Sequence, residues 1–181
     1  AKKHGINYYR GSEEDVLSRY YESAEKYDID TIIRITSDCP LIDPFIIDEI
    51  IKFYQNNDYD LVTNSGPKND HRTYPRGMDT EVFSFQILKE TFQNAEQKYQ
   101  REHVTPYIYE NSKKIYYYKN DIDYSNYRLT LDEKEDLRLI NKIYDELYGG
   151  THNFYLNDII KLLENNPKYL DINKDVQQKQ I

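Results

Sequence analysis

Residues 31–44 constrain the fold more tightly than any other stretch of the chain. Thr31-Ile32-Ile33-Arg34-Ile35-Thr36 is a short β-branched run, the pattern of a buried strand. It stops at Ser37-Asp38-Cys39-Pro40. Asp43-Pro44 then reads as a helix cap followed by proline at the first helical position. A buried strand passing through a polar turn into a capped helix is the building unit of an α/β domain.

The remaining sequence repeats that alternation. Ser12 with Asp15 resembles a capping box, and Val16, Leu17, Tyr20, Tyr21 and Ala24 behind it predict an amphipathic helix over 13–27. Apolar spacing predicts further helices over 44–56, 86–98, 101–109, 133–147 and 156–165, with Pro106 compromising the middle of 101–109. Strands are expected at 59–64, 80–85, 114–119 and 127–131. The polar stretch Ser65–Asp79 is long for a structureless connection, which favours a functional loop over a linker. The expectation is an α/β chain with a mostly parallel sheet, one domain over 1–170 and a loose polar tail over 171–181. Strands 31–36, 59–64 and 127–131 should be neighbours or nearly so.

Composition excludes several classes of function. The chain has 181 residues and one cysteine, Cys39, so neither an internal disulfide framework nor a Cys-rich zinc module is available. Twenty-four basic against thirty-two acidic residues give a net charge of −8, which does not favour nucleic acid as a partner. No apolar run is long enough to span a membrane, and the opening residues lack the apolar core of a signal peptide. A cytoplasmic protein is expected. The sequence starts at Ala1 inside what reads as the end of a helix, so a processed or truncated chain is expected as well.

Open α/β sheets bind ligands at the carboxyl ends of their strands. Asp38 follows the strand 31–36 and Asp132 follows 127–131, so neighbouring strands would point both acids into one crevice. Paired carboxylates there suit Mg²⁺, a hard cation that shares its oxygen ligands with substrate phosphates. The competing reading of Asp132 is a helix cap, because Glu133-Lys134-Glu135-Asp136 follows it directly.

The wording around these acids narrows the choice. Arg34-Ile35-Thr36-Ser37-Asp38-Cys39-Pro40-Leu41-Ile42-Asp43-Pro44 resembles the G-D-x-P-L-I motif of the cytidylyltransferases that make CMP-activated sugars. Leu129-Thr130-Leu131-Asp132 with Glu135-Asp136-Leu137 is similar to that family's V-D-T-P-E-D-L. Arg10-Gly11-Ser12 with Asp15–Tyr20 looks like the family segment upstream of the Asp38 motif, and Thr73–Phe85 and Arg101–Ile108 resemble further motifs of the spore coat polysaccharide branch. The resemblance implies a Rossmann-like, GT-A-like nucleotide-diphospho-sugar transferase fold with helices on both sheet faces.

It also implies roles. Asp38 and Asp132 would hold Mg²⁺ at the α-phosphate of CTP, and a sugar or sugar acid would attack that phosphorus. Ser12, Arg19 and Arg10 would face the nucleotide. Arg76, Asp79 and Glu81 would face the sugar, with Arg101, Glu102 and His103 as weaker candidates. Tyr116-Tyr117-Tyr118 alternate across a strand, so sheet packing is expected over base stacking. Ser37 stands where the family has glycine, and Glu133-Lys134 replace its Thr-Pro. The family's Arg-rich nucleotide loop and first strands have no counterpart here. Little or no CTP turnover is expected from that, with an uncovered sheet edge that promotes self-association, a homodimer being one form of it. Two other classes compete. A nucleotide-sugar glycosyltransferase needs a D-x-D motif, and Asp28-Ile29-Asp30 precedes its strand instead of following it. A non-catalytic remnant is the second.

Overall fold

The computed structural model describes residues 1–177, so the end of the tail, 178–181, lies outside the described residues. Four strands, β1 (Thr31–Arg34), β2 (Leu61–Thr63), β3 (Glu81–Ser84) and β4 (Ile115–Tyr117), form one sheet in the order β1-β3-β2-β4. β3 pairs antiparallel with both β1 and β2, while β2 and β4 are parallel. Three strands therefore share one direction and β3 runs against them. This mixed sheet qualifies the mostly parallel one expected. The long segment 65–80 returns the chain to the sheet at the end where β2 leaves it, so β3 must run backwards.

β1 and β2 are near neighbours, as expected, with β3 between them. One strand expectation needs correction. Residues 127–131 are extended but form no ladder, with a single bridge between Arg76 and Arg128. Their backbone bonds go to two different segments. Leu129 donates to the Arg76 carbonyl and Leu131 to the Asp38 carbonyl, so no single strand is their partner.

Among the described residues seven α-helices complete the fold: α1 (Val16–Lys26), α2 (Pro44–Gln55), α3 (Phe85–Asn94), α4 (Lys98–His103), α5 (Pro106–Asn111), α6 (Lys134–Leu147) and α7 (Leu156–Asn165). Alternation along the strands sends side chains to two separate cores. Val62 and Val82 pack with α2, α6 and α7 through Ile50, Ile143 and Ile159. Ile32, Leu61 and Phe83 pack with α1, α3 and α5 through Leu17, Leu88 and Ile108. Helices thus cover both faces. Each fully buried Leu or Ile in these layers contributes about 1.5–3 kcal/mol of transfer free energy.

Local signals place the helix ends. Pro44 opens α2 behind Asp43, whose Oδ1 accepts the Phe45 amide at 2.9 Å. The other oxygen of this buried carboxylate accepts the Leu156 amide at 3.2 Å, so Asp43 also ties down the start of α7. Ser84 caps α3, as its position before a helical period suggests. The cap of α1 is Asp15 and not Ser12. Ser12 lies one turn upstream, where its hydroxyl accepts the Asp15 amide. Arg101 decides between them by bonding the Asp15 carboxylate at 2.8 Å.

Pro106 does not sit inside a helix. It starts α5, and the break before it leaves buried Val104 at φ 73°, ψ −56°, with the Thr105 amide on the His103 carbonyl. That geometry is a strained γ-turn. The tail does not begin loose either, since residues 167–172 form a 3-10 turn and Asn173 is buried behind α6.

Candidate active site

Three segments meet at the carboxyl end of β1. The first is the turn 36–43, closed by the Cys39 amide on the Thr36 carbonyl and the Ile42 amide on the Cys39 carbonyl. The second is 72–80, and the third is 127–132. The Leu131 amide donates to the Asp38 carbonyl at 2.9 Å, and the Thr130 hydroxyl donates to Asp38 Oδ2 at 3.0 Å. Asp38 and Asp132 are thereby held on adjoining backbone.

Asp132 is not a helix cap. Glu133 occupies the N-cap of α6, and Asp136 receives both the Asp132 and Glu133 amides on Oδ2. With capping assigned to Asp136, the Asp132 carboxylate turns instead to Arg128, whose Nη2 donates to Oδ2 at 2.9 Å. The same guanidinium grips Asp136 with two bonds, Nε to Oδ1 at 2.9 Å and Nη2 to Oδ2 at 2.8 Å. Asp136 is fully buried, and Asn173 Nδ2 also donates to it. Burial alone would raise the Asp136 carboxyl. Bonds from Arg128, Asn173 and the two amides outweigh that and hold it below the ordinary carboxylate value.

The second segment contributes Arg76 and Asp79. Asp79 accepts a two-pronged bond from buried Arg72, which also donates to the Pro75 carbonyl. Burial and the nearby Arg72 and Arg128 charges lower Arg76. Gly77, at φ +92°, lets this segment lie directly on Leu129 and Thr130. Cys39 forms part of the floor. Burial pushes its thiol up to about 11, so it is neutral and unreactive at pH 7.

The structure therefore brings Asp38, Asp132, Arg76 and Asp79 to one rim. It sets Glu81 beneath that rim: one carboxylate oxygen takes Arg34 and the other takes the Tyr109 hydroxyl at 2.7 Å. Ser12, Arg10 and Arg19 sit elsewhere, around α1. Arg19 lines an open groove of about 490 Å³ with Tyr8, Tyr9, Tyr20 and Ile33, and Arg10 lies 6.0 Å from the Tyr8 ring centre. No hydrogen bond or ion pair among the described residues joins these three, or His103, to the rim. Arg101 braces Asp15 and two carbonyls at the end of α3, a structural duty. Tyr116 stacks on Phe53, whereas Tyr117 stacks on His71 from the opposite face, as sheet packing requires.

Arg72, Arg128 and Thr130 carry much of the rim's geometry and were not singled out from the sequence. Arg128 sits four residues before Asp132 and eight before Asp136, a spacing with no meaning until the chain bends at 132. Asp28 and Asp30 stand before β1, at the end opposite Asp38. That position does not suit a D-x-D metal site in this crevice.

Could the rim take Mg²⁺? Asp38 and Asp132 offer two carboxylates and Thr130 a hydroxyl, all oxygen, while Asp79 is taken by Arg72. Among the described residues no group of three or more His, Cys, Asp or Glu gathers around a point. A sparse, all-oxygen set fits Mg²⁺, which is ordinarily bound by one or two carboxylates plus phosphates and water, and does not fit a caged transition metal.

Comparison with known proteins bears on the family. The sequence profile of the family described as cytidylyltransferase matches residues 1–176. An uncharacterized protein of Methanocaldococcus jannaschii is 37% identical over 182 residues, covering 97% of this chain and 70% of its own length. Spore coat polysaccharide biosynthesis protein SpsF of Bacillus subtilis is 34% identical over 174 residues, covering 91% of this chain and 68% of its own. The solved structure of a cytidylyltransferase from Leptospira borgpetersenii superposes with a TM-score of 0.86 at 34% identity. That match covers 98% of this chain and 72% of the other. The fold is thus that of the nucleotide-diphospho-sugar transferases. Among the described residues no helix is long and apolar enough to cross a membrane. Profile, relatives and superposed structure place this chain in the cytidylyltransferase family of nucleotidyltransferase enzymes.

Proposed function

We propose that the rim at the end of β1 transfers the cytidylyl group of CTP to a sugar or sugar acid destined for a surface polysaccharide. The observation that carries this reading is the backbone bond between Leu131 and Asp38, which brings the segment bearing Asp132 against the turn bearing Asp38. The polysaccharide role is supported by the 34% identity to the spore coat protein.

Asp38 and Asp132 would hold Mg²⁺, which when bound neutralises phosphate charge. The chain's own groups do the rest. Thr130 fixes the Asp38 carboxylate and Arg128 fixes that of Asp132, so neither must reorganise when substrate arrives. Arg76 adds positive charge where a triphosphate or an acidic sugar would lie. Asp79, held by Arg72, can accept sugar hydroxyls. Buried Glu81 acts indirectly, by seating Arg34 and Tyr109 below the rim. A sugar hydroxyl attacks the α-phosphorus, the bond to the bridging oxygen breaks, and pyrophosphate leaves. Ser12, Arg10, Arg19 and His103 remain candidates for nucleotide or sugar contacts outside the rim.

Pyrophosphate release with CTP, Mg²⁺ and a panel of neutral and acidic sugars tests this reading. The Asp38→Asn and Asp132→Asn variants should lose at least about a thousandfold in rate. Their thermal unfolding should stay within about 1 kcal/mol of wild type, because both carboxylates are partly exposed. Wild-type rates in either variant would remove that acid from the chemistry. A preference for another nucleotide would overturn the cytidylyl assignment.

A further inference from the structure

We propose that Arg128 is a positioning residue that keeps Asp132 neutralised until nucleotide arrives, so that the divalent cation enters with the triphosphate and not ahead of it. The inference rests on the metal role given above to Asp38 and Asp132.

The geometry around Arg128 is asymmetric. Its guanidinium makes two bonds to Asp136, which is fully buried, and one bond to Asp132, whose side chain is 27% exposed. Asp136 is itself fixed by the amides of Asp132 and Glu133 and by Asn173 Nδ2 at 2.9 Å. Asn173 also donates to the Arg128 carbonyl, so backbone and side chain of the arginine are both anchored. Arg128 is therefore seated on Asp136 and lends an N–H to Asp132. When Asp132 engages another cation, the arginine has no path to follow it and its charge stays at the rim.

That fixed charge acts in opposite directions on two ligands. A bare divalent cation must compete with Arg128 for Asp132 and then sit beside a positive group. A cation carried by a triphosphate brings negative oxygens that the same guanidinium attracts. Arg76 lies on the neighbouring segment, where it bridges to Arg128 through the backbone and feels its charge, whereas Arg72 is offset by Asp79. An arginine serving only as a strut for α6 would have no reason to share a bond with the exposed acid.

The test is titration with Mn²⁺, read as free ion by electron paramagnetic resonance, with and without CTP. Removing the charge in Arg128→Gln should tighten bare Mn²⁺ binding roughly tenfold and weaken Mn²⁺ with CTP by a similar factor. Arg128→Lys keeps the charge and should stay within about twofold of wild type for the bare ion. Bare-ion affinity at or below wild type in a folded Arg128→Gln protein overturns the proposal. If that variant does not fold, the wild-type protein decides through nitrogen-15 spectra of its arginine side chains. Adding Mg²⁺ with CTP should shift the Arg128 Nη signal while Nε–H stays protected by Asp136, and an unmoved Nη signal overturns the proposal. Asp132→Asn separates the two readings. Loss of Mn²⁺ binding there beside an unchanged Arg128→Gln defeats the role of Arg128 alone, whereas unchanged binding in Asp132→Asn defeats both.

Discussion

Gly77 packs directly on the backbone of Leu129: a Cβ placed on the glycine would fall 2.5 Å from the carbonyl carbon and oxygen of that residue. The contact carries the 72–80 segment onto 127–132 and so fixes the spacing of Asp79 and Asp132. Gly77→Ala would combine this clash with a φ of +92° that an L side chain rarely adopts. We expect it to destabilise the protein by roughly 2–4 kcal/mol, measured by urea unfolding. A change below about 0.5 kcal/mol would show that the two segments can separate freely.

Glu81 should behave as an interior residue. Its carboxylate is 4% exposed and satisfies both Arg34 and Tyr109. Glu81→Ala leaves a buried guanidinium without its counter-charge, at an expected cost of about 3–5 kcal/mol. Glu81→Gln, which can still bond both partners, should cost clearly less. If Glu81→Gln instead raised KM for the sugar several-fold at unchanged stability, the side chain would have to reach substrate.

Alkaline pH should unfold the protein steeply. Burial, then the charge and bond of Glu81, hold the Tyr109 hydroxyl well above its ordinary value of 10.0, and burial raises Tyr74 in the same direction. Both groups stay neutral in the folded chain while the unfolded chain ionises near pH 10. Their contribution is fully present below that pH and is lost as pH rises through the higher folded values. Urea midpoints at successive pH values above 9 should therefore fall faster for wild type than for Tyr109→Phe. Parallel slopes in the two proteins would contradict the assignment.

β1 is an outer strand of the sheet among the described residues, and Ile33 on it is 37% exposed. In its antiparallel pairing with β3 the register alternates. Phe85 bonds Asp30, so Ile32 and Arg34 also face β3, and the backbone groups of Thr31 and Ile33 point outward. Such an edge recruits another strand. Sedimentation should show association that grows with concentration, and Ile33→Lys should suppress it. Equal behaviour of the two proteins would place any self-contact elsewhere.

Short-range chemistry was legible in the sequence. Asp43-Pro44 announces α2, Ser84 announces α3, and the spacing of Leu156, Ile159, Ile160 and Leu163 gives α7 its residues. Features set by distant partners were not legible. Ser12 and Asp15 both satisfy the local rule for a cap, and Arg101, 86 residues away from Asp15, settles the matter. Asp132 and Asp136 flank the start of α6 in sequence, but only the burial of Asp136 and its bond to Asn173 assign one to the helix and the other to the rim. β3 read as an ordinary strand from its alternation. Its reversed direction depends on how a long loop returns, which no periodicity encodes.

The double duty of Asp43 has a temporal consequence. One carboxylate closes the start of α2 and also receives the Leu156 amide, 113 residues further on. The turn bearing Asp38 is thus braced from behind by a segment synthesised 113 residues after Asp43. A growing polypeptide on the ribosome can wind α2 early, since Phe45 is at hand. It cannot complete the brace until α7 has emerged and found its seat against Ile50 and Ile143, and closing so long a span is slow. Helical content and ligand-binding competence should therefore be acquired at different times during biogenesis, the second trailing the first.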